Sequence, residues 1–263
     1  MPKIMGVVNA TPDSFSDGGR FLSADAGIAH ALKLVEDGAD ILDIGGESTR
    51  PGADIVPETD ELERVLPIIE GVRRRDATPI SIDTRKPVVA EAAIAAGATI
   101  WNDVSALTFA DDSLARAAAL QGDVILMHAQ GDPKTMQDAP SYGDVVEDVF
   151  AFLEKRIAAC VTAGVDRSRI MIDPGIGFGK TLEHNLALLR NLDRFSALAP
   201  VLLGSSRKRF IAALDRPAAA ETRLGGSLAA ALWGMKAGVA MVRVHDVGET
   251  RQAFAVWGGV DAG

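Results

Sequence analysis

Residues 79–105 read PISIDTRKPVVAEAAIAAGATIWNDVS, and they contain the outline of one complete βαβ unit. A short apolar run over 79–84 is followed by an alanine-rich segment, then by Gly97, then by a second short run from Ile100. Glycine commonly occupies the left-handed position that ends a helix. Because short strand-like runs flank a helical segment, this stretch predicts two parallel strands joined by a helix.

The same alternation runs through the whole chain. Eight short apolar runs are separated by segments of helical periodicity, at residues 3–9, 40–46, 79–84, 100–105, 124–129, 170–174, 201–206 and 241–246. Eight such units predict an α/β protein, a (β/α)8 TIM barrel, with an open doubly wound sheet as the alternative. A chain of 263 residues without a linker or low-complexity tract predicts a single domain over residues 1–263.

Polar residues near the carboxyl ends of the eight runs favour the barrel. They are Asn9, Asp43, Asp83, Asn102, His128, Asp173, Ser206 and His245. In a barrel these ends converge on one face, whereas an open sheet spreads them along a line. We therefore expect one polar pocket built from distant parts of the chain.

Composition excludes several classes of function. The chain carries a net charge of −9 and scattered basic residues, so no nucleic-acid partner is expected. Its single cysteine, Cys160, predicts a buried thiol in a reducing compartment. The sequence shows no signal peptide and no apolar run of membrane-spanning length, so we expect a cytoplasmic protein without a membrane partner.

The last predicted strand suggests an anion site. Strand alternation places Arg243 and His245 on one face, and a helix is predicted to begin directly after them. Two cationic side chains beside the positive end of a helix can bind phosphate, which barrels often bind after strands seven and eight. The alternative is that Arg243 forms a salt bridge with a carboxylate inside the barrel.

Three strand-end residues have the acceptors and amides needed to recognise the polar edge of a flat ligand: Asp83, Asn102 and Asp173. Buried polar groups must satisfy one another or a ligand, and the nearby Lys208 favours the ligand. Lys208 follows the seventh run, where barrels place catalytic residues, whereas the adjacent Arg207 could belong to a solvated face.

Residues 173–181, DPGIGFGKT, resemble a phosphate-binding loop only superficially. Pro174 stands where that motif needs its first glycine, and Lys180 breaks the dinucleotide pattern G-x-G-x-x-G. The glycines instead allow backbone to approach a flat ligand. The histidines lack metal-ligand spacing, but Mg²⁺ held mainly by the phosphate groups of a ligand needs only one or two protein oxygens, and Asn9 can supply one.

Two longer motifs carry a family resemblance. Residues 9–19, NATPDSFSDGG, and residues 43–52, DIGGESTRPG, resemble the two signatures of dihydropteroate synthases. Asp83, Asn102, Asp173, Lys208 and Arg243 follow in the expected order, so the resemblance covers nearly the whole chain.

The resemblance implies a homodimeric TIM barrel of folate biosynthesis, with Mg²⁺ and two small-molecule substrates. In that family the amine of 4-aminobenzoate displaces pyrophosphate from 6-hydroxymethyl-7,8-dihydropterin pyrophosphate, and pyrophosphate leaves first. By matching position, the pterin would bind Asp83, Asn102, Asp173 and Lys208, while pyrophosphate and Mg²⁺ would bind Asn9, Arg243 and His245. The catalytic set would be Asp17, Lys208, Arg243 and His245, with Asp17 stabilising the pterin cation.

Two loops complete the implied site. Asp13, Phe15 and Asp17 would lie on one mobile loop, and Thr49, Arg50 and Pro51 on the loop that binds 4-aminobenzoate. The chain departs from the family at Arg209, where a serine commonly helps bind the aminobenzoate carboxylate. A guanidinium suits a carboxylate but can also point to solvent, so the response of this sulfonamide target stays open.

Two other functions compete with synthesis of dihydropteroate. A pterin-binding methyltransferase shares the pterin residues, but the pyrophosphate set Asn9, Arg243 and His245 argues against it. A barrel that only binds or regulates would be expected to lose Lys208 or Asp83, and both are present.

Overall fold

A computed structural model describes residues 1–10, 19–48, 53–131, 136 and 139–261, with the side chains of residues 19–23 excluded. Eight parallel strands occupy the predicted positions: β1 Lys3–Asn9, β2 Ile41–Gly45, β3 Ile80–Asp83, β4 Ile100–Asp103, β5 Asp123–Met127, β6 Ile170–Asp173, β7 Leu202–Leu203 and β8 Met241–Val244.

The sheet closes on itself. Its strand order is β6-β5-β4-β3-β2-β1-β8-β7, and a parallel bridge between Ile172 and Val201 joins the two outer strands. The Ile172 amide donates to the carbonyl of Pro200 at 3.0 Å across that seam. The predicted (β/α)8 barrel is therefore confirmed, and the open sheet is excluded.

Helices surround the barrel. In the described part of the chain they are α1 Gly19–Glu36, α2 Glu58–Arg73, α3 Pro87–Ala95, α4 Ser113–Ala119, α5 Val145–Thr162, α6 Leu182–Arg190, α7 Leu192–Leu198, α8 Arg209–Leu214, α9 Leu224–Lys236 and α10 Val247–Asp261. Short 3₁₀ turns lie at Arg167–Arg169 and Ala220–Thr222. None of the described helices has the length and apolar character to cross a membrane.

Local sequence explains where α5 starts and which face it buries. Asp144 caps α5 by accepting hydrogen bonds from the amides of Val146 and Glu147 at 2.8 and 3.2 Å. One face of α5 is buried, and it includes Cys160, whose thiol has a pKa raised by burial to about 11. The helix therefore packs on the barrel through an inert, protonated thiol rather than a reactive one.

The barrel interior has two layers of different chemistry. We call the first the lower layer: an apolar cluster formed by Met5, Ile41, Ile100, Ile125, Leu202 and Met241. Side chains alternate along a strand, so the next inward positions come two residues later. They form what we call the upper layer, which consists of Asp43, Asp83, Asn102, Asp173 and Arg243. The polar pocket expected at the carboxyl ends of the strands thus begins inside the barrel.

Candidate active site

Arg243 lies at the centre of the upper layer between two buried carboxylates. Its Nε donates to Asp43 at 2.5 Å, and its Nη2 donates to Asp83 at 2.8 Å. Burial lowers the pKa of Arg243, but the charges of Asp43 and Asp83 outweigh burial and raise it overall. The salt bridge weighed as an alternative is thus present, and it fixes the guanidinium inside the mouth of the barrel.

Asp83 keeps one oxygen unused. Its Oδ2 accepts from Arg243, whereas its Oδ1 is buried and has no hydrogen-bond partner among the described residues. Burial raises the pKa of Asp83 to about 7, against the opposing charge of Arg243. Buried acceptors are normally satisfied, so Oδ1 is an acceptor available to a ligand.

Asn102 is adjacent to Asp83 in the sheet register and connects it to the next carboxylate. Its Nδ2 lies 3.3 and 3.4 Å from the two oxygens of Asp43. Asp43 therefore holds both Arg243 and Asn102 from a fully buried position on β2. Sequence reasoning placed Asp43 at a strand end but did not identify this anchoring role.

Asp173 forms the opposite wall of the pocket. Its Oδ1 accepts from the amide of Gly175 at 2.7 Å, and its pKa is raised by burial against that hydrogen bond and the charge of Lys208. The ammonium of Lys208 lies 3.9 Å above the centre of the Phe178 ring. Carboxylate, ammonium and aromatic ring are thus brought together at one side of the mouth, and sequence reasoning did not include Phe178.

His245 lies beside the start of α10, as the anion-site prediction requires. Its Nδ1 is 3.0 Å from the hydroxyl of Ser206, which also accepts from the His245 amide at 3.3 Å. The neighbouring Arg207 is not a solvated cation, because it donates to both oxygens of Asp246. His245 follows β8 directly, two residues after Arg243, and α10 begins two residues after His245.

His128 departs from the predicted convergence of polar groups. The register pairs Met127, the last residue of β5, with the inward-facing Asp173, so the side chain of His128 directly after the strand points out of the barrel. The His128 ring packs edge-on against Phe152 of α5, with ring centres 4.9 Å apart. Its pKa is lowered to about 3 by burial and by the charge of Lys180, which makes it a neutral imidazole in the helix layer.

Asn9 ends β1 and is half-buried at the mouth. Among the described residues no group of three His, Cys, Asp or Glu side chains could hold a metal ion. A site with a single amide oxygen fits Mg²⁺ only if the ion takes its other ligands from substrate and water, which is common for this ion.

A charged cluster supports the start of the loop after β2. Glu47 accepts from Arg85 at 2.6 Å and from Lys86, and Lys86 also pairs with the fully buried Glu61. The predicted loop residues Asp13, Phe15, Asp17, Thr49, Arg50 and Pro51 lie outside the described residues. Arg209 is described, and its side chain is exposed at the first residue of α8.

Comparisons with known proteins agree on one family. The family model for pterin binding enzymes matches residues 5–245. The dihydropteroate synthase of Haemophilus influenzae is 47% identical over 259 residues, which cover 98% of this chain and 93% of that protein.

Solved structures give the same result. That of the Xanthomonas albilineans dihydropteroate synthase with 4-aminobenzoic acid has a TM-score of 0.94 at 50% identity, covering 100% of this chain and 94% of that one. The Yersinia pestis dihydropteroate synthase with a sulfonamide drug complex has a TM-score of 0.92 at 40% identity, covering 100% and 95%.

Proposed function

This chain belongs to the pterin-binding enzyme family, among the dihydropteroate synthases, and we propose how its own residues perform the family reaction. It is a transferase of folate biosynthesis that condenses 6-hydroxymethyl-7,8-dihydropterin pyrophosphate with 4-aminobenzoate and releases pyrophosphate. The methyltransferase and the inactive barrel are set aside, because the relatives that match nearly the whole chain are synthases.

The pterin binds in the upper layer, where Asp83, Asn102, Asp173 and Lys208 surround it. The observation that carries this assignment is the buried Oδ1 of Asp83, which lacks a partner among the described residues. A pterin ring presents N–H donors along its amino-pyrimidine edge, and carboxylates are acceptors for them. Buried acceptors of this kind discriminate strongly against ligands that cannot donate to them.

Pyrophosphate leaves toward Arg243 and His245. The described hydrogen bonds of Arg243 use Nε and Nη2, which leaves Nη1 as the donor for a pyrophosphate oxygen. His245 is oriented by Ser206 at 3.0 Å beside the first turn of α10. Charges fixed in advance stabilise the negative charge that grows on the leaving group.

The reaction proceeds by dissociation, with pyrophosphate leaving before the amine attacks. Asn9 would contribute one oxygen ligand to Mg²⁺, which when bound would neutralise charge on the pyrophosphate. Asp17 is placed by family resemblance to stabilise the pterin cation. The family mechanism needs water to be kept from the mouth, because water would trap that cation.

The family resemblance assigns Thr49, Arg50 and Pro51 to the aminobenzoate site. Among the described residues, Phe178 below Lys208 would provide an aromatic wall for that site. Sulfonamides compete there, since the family is a sulfonamide target and the Yersinia pestis relative was solved with such a drug. Titration of the drug against the wild type and an Arg209→Ser variant measures what Arg209 changes.

A homodimer forms through an apolar surface on α9 and α10. A groove of about 580 Å³ is lined there by Leu228, Leu232, Val256, Trp257 and Val260, among others. Val256 and Val260 are 64% and 78% exposed, which is unusual for a helix whose other face is buried. A second copy of the chain can cover this surface around a twofold axis. Sedimentation of the wild type and a Val256→Glu variant tests the assembly.

The single domain over residues 1–263 is supported by one closed sheet and by a family match that spans residues 5–245. The cytoplasmic location predicted from the sequence stays a prediction that cell fractionation tests.

The decisive experiment measures products. The purified protein is incubated with the pterin pyrophosphate and Mg²⁺, with and without 4-aminobenzoate, and dihydropteroate is followed by chromatography. Dihydropteroate that depends on aminobenzoate is the expected result. Binding of the pterin without product would overturn the synthase assignment while leaving the pterin pocket intact.

A further inference from the structure

Lys180 is a buried lysine that the reaction described above does not use. Its side chain is only 3% exposed. Its Nζ lies 2.9 Å from the Phe178 carbonyl, 3.3 Å from the His128 carbonyl and 3.0 Å from His128 Nδ1. Three acceptors therefore meet the three hydrogens of one ammonium, so every donor is satisfied inside the protein.

Two charged residues of the candidate active site affect the pKa of Lys180. Burial lowers its pKa to about 7, Asp173 raises it, and Lys208 lowers it. The adjacent imidazole of His128 has a pKa lowered to about 3, so it stays neutral and accepts a hydrogen bond through Nδ1. A desolvated lysine that shares charges with two site residues is more typical of a functional region than of a structural turn.

The backbone from Gly175 to Lys180 is tightly constrained. Gly175 has a φ of +72° and passes so close to His128 that an added Cβ would lie 1.8 Å from the His128 carbonyl oxygen. The hydroxyl of Tyr142 donates to the Gly179 carbonyl at 2.7 Å from the other side. Lys180 adds the bond to the Phe178 carbonyl, so the backbone is fixed on both sides of the Phe178 side chain.

Phe178 transmits this constraint to the pterin site. Its ring lies 3.9 Å below the ammonium of Lys208, and this cation–π contact stabilises the cation over the ring. Lys208 also lies close enough to Asp173 to lower the pKa of that carboxyl. The chain of contacts therefore runs from Lys180 through Phe178 to Lys208.

We propose that Lys180 is a positioning residue of the pterin site: by holding the Phe178 carbonyl it places the ring on which the Lys208 ammonium lies. This inference rests on the proposed role of Lys208 in binding the pterin. If the proposal is right, removal of Lys180 weakens ligand binding through the Phe178 ring. Removal of a lysine that only stabilises a turn would have no such effect.

A double-mutant cycle on the full chain tests the proposal. The probe is 6-hydroxymethyl-7,8-dihydropterin, whose dissociation constant is measured by calorimetry for the wild type, Lys180→Met, Phe178→Leu and the double variant. Lys155→Met on α5 is the matched control, because Lys155 is exposed. Lys180→Met is expected to weaken binding roughly tenfold in the wild type and less than twofold in the Phe178→Leu background.

Several outcomes would overturn the proposal. Equal effects of Lys180→Met in both backgrounds would show that Lys180 does not act through the ring. A lower melting temperature with unchanged affinity would make it a structural residue, and so would failure of both Lys180→Met and the conservative Lys180→Gln to fold. Lys208→Met is measured alongside: unchanged affinity in that variant would instead refute the proposed pterin site.

Discussion

The lower and upper layers of the barrel are built from the same strands but differ in chemistry. On β4, Ile100 belongs to the apolar lower layer, and Asn102, two residues later, lies in the polar upper layer beside Asp43. On β8, Met241 and Arg243 are related in the same way. The shift from one layer to the other takes two residues on each strand, which is one inward-facing position.

The two layers make opposite contributions to stability and function. The lower layer packs like any protein core, and its side chains stabilise the fold without reaching the mouth. The upper layer confines Asp83, Asp173 and Arg243 in low-dielectric surroundings, where the pKa of each carboxyl is raised by burial. Arg243 pairs with Asp43 and Asp83, but Oδ1 of Asp83 has no partner among the described residues, and that unused acceptor suits ligand binding rather than folding.

The largest effect is expected at Arg243, because replacing this residue should lower both stability and activity. Arg243→Met leaves Asp43 and Asp83 buried without their shared cation, so the free energy of unfolding should fall by about 3–5 kcal/mol. Activity should also fall by roughly 100- to 1000-fold, because the developing charge on pyrophosphate loses its donor. Chemical denaturation and steady-state kinetics measure both, and wild-type stability in the variant would show that the ion pairs are dispensable.

A cavity in the lower layer should separate stability from function. Ile125→Ala removes a fully buried side chain and should lower the free energy of unfolding by about 2–5 kcal/mol. The KM for the pterin substrate should stay within about twofold of the wild type at temperatures where the variant is folded. A large rise in KM would mean that the lower layer also shapes the pocket.

Asp83→Asn should change how stability depends on pH and should weaken pterin binding. The folded-state pKa of about 7 lies above the unfolded value near 3.9, so this group's contribution to stability is present at low pH and is lost as pH rises toward 7. The amide does not ionise, so the variant should gain about 1–3 kcal/mol on the wild type between pH 5 and 8. Its pterin affinity should fall. Parallel stability curves across that pH range would contradict the raised pKa.

The smallest effect is expected at Ser206. Ser206→Ala removes the hydroxyl 3.0 Å from His245 Nδ1, so kcat/KM should fall by an amount equivalent to about 1 kcal/mol. The melting temperature should hardly change. If kcat/KM matches the wild type, Ser206 does not orient His245 for pyrophosphate.

The alternation of strand-like and helical segments predicted most of the fold. The strand-end positions predicted the polar residues of the upper layer but not the residues that surround them. All eight strands lie inside the predicted runs or within one residue of them, because short buried strands have a clear apolar signature. The largest difference between a predicted run and its strand is at 201–206, where β7 covers only Leu202–Leu203. The barrel closes beside β7 through the bridge at Val201.

The misses depend on tertiary contacts. The direction of His128 depends on the register between β5 and β6, which pairs Met127 with Asp173 and cannot be read from one run. Phe178 and Lys180 interact with Lys208, which lies in a different βα unit, so their proposed roles could not be predicted from their own segment. The apolar surface on α9 and α10 combines two helices separated in sequence, so neither stripe is distinctive alone.

One measurement tests the division between the layers most directly. Ile100→Ala and Asn102→Ala alter neighbouring inward positions of the same strand, and both the free energy of unfolding and the dissociation constant for the dihydropterin are measured for each. We predict that Ile100→Ala lowers stability by about 2–5 kcal/mol with little change in affinity, while Asn102→Ala mainly weakens binding. If both variants lose stability and affinity in the same proportion, the two layers form one unit and the account is wrong.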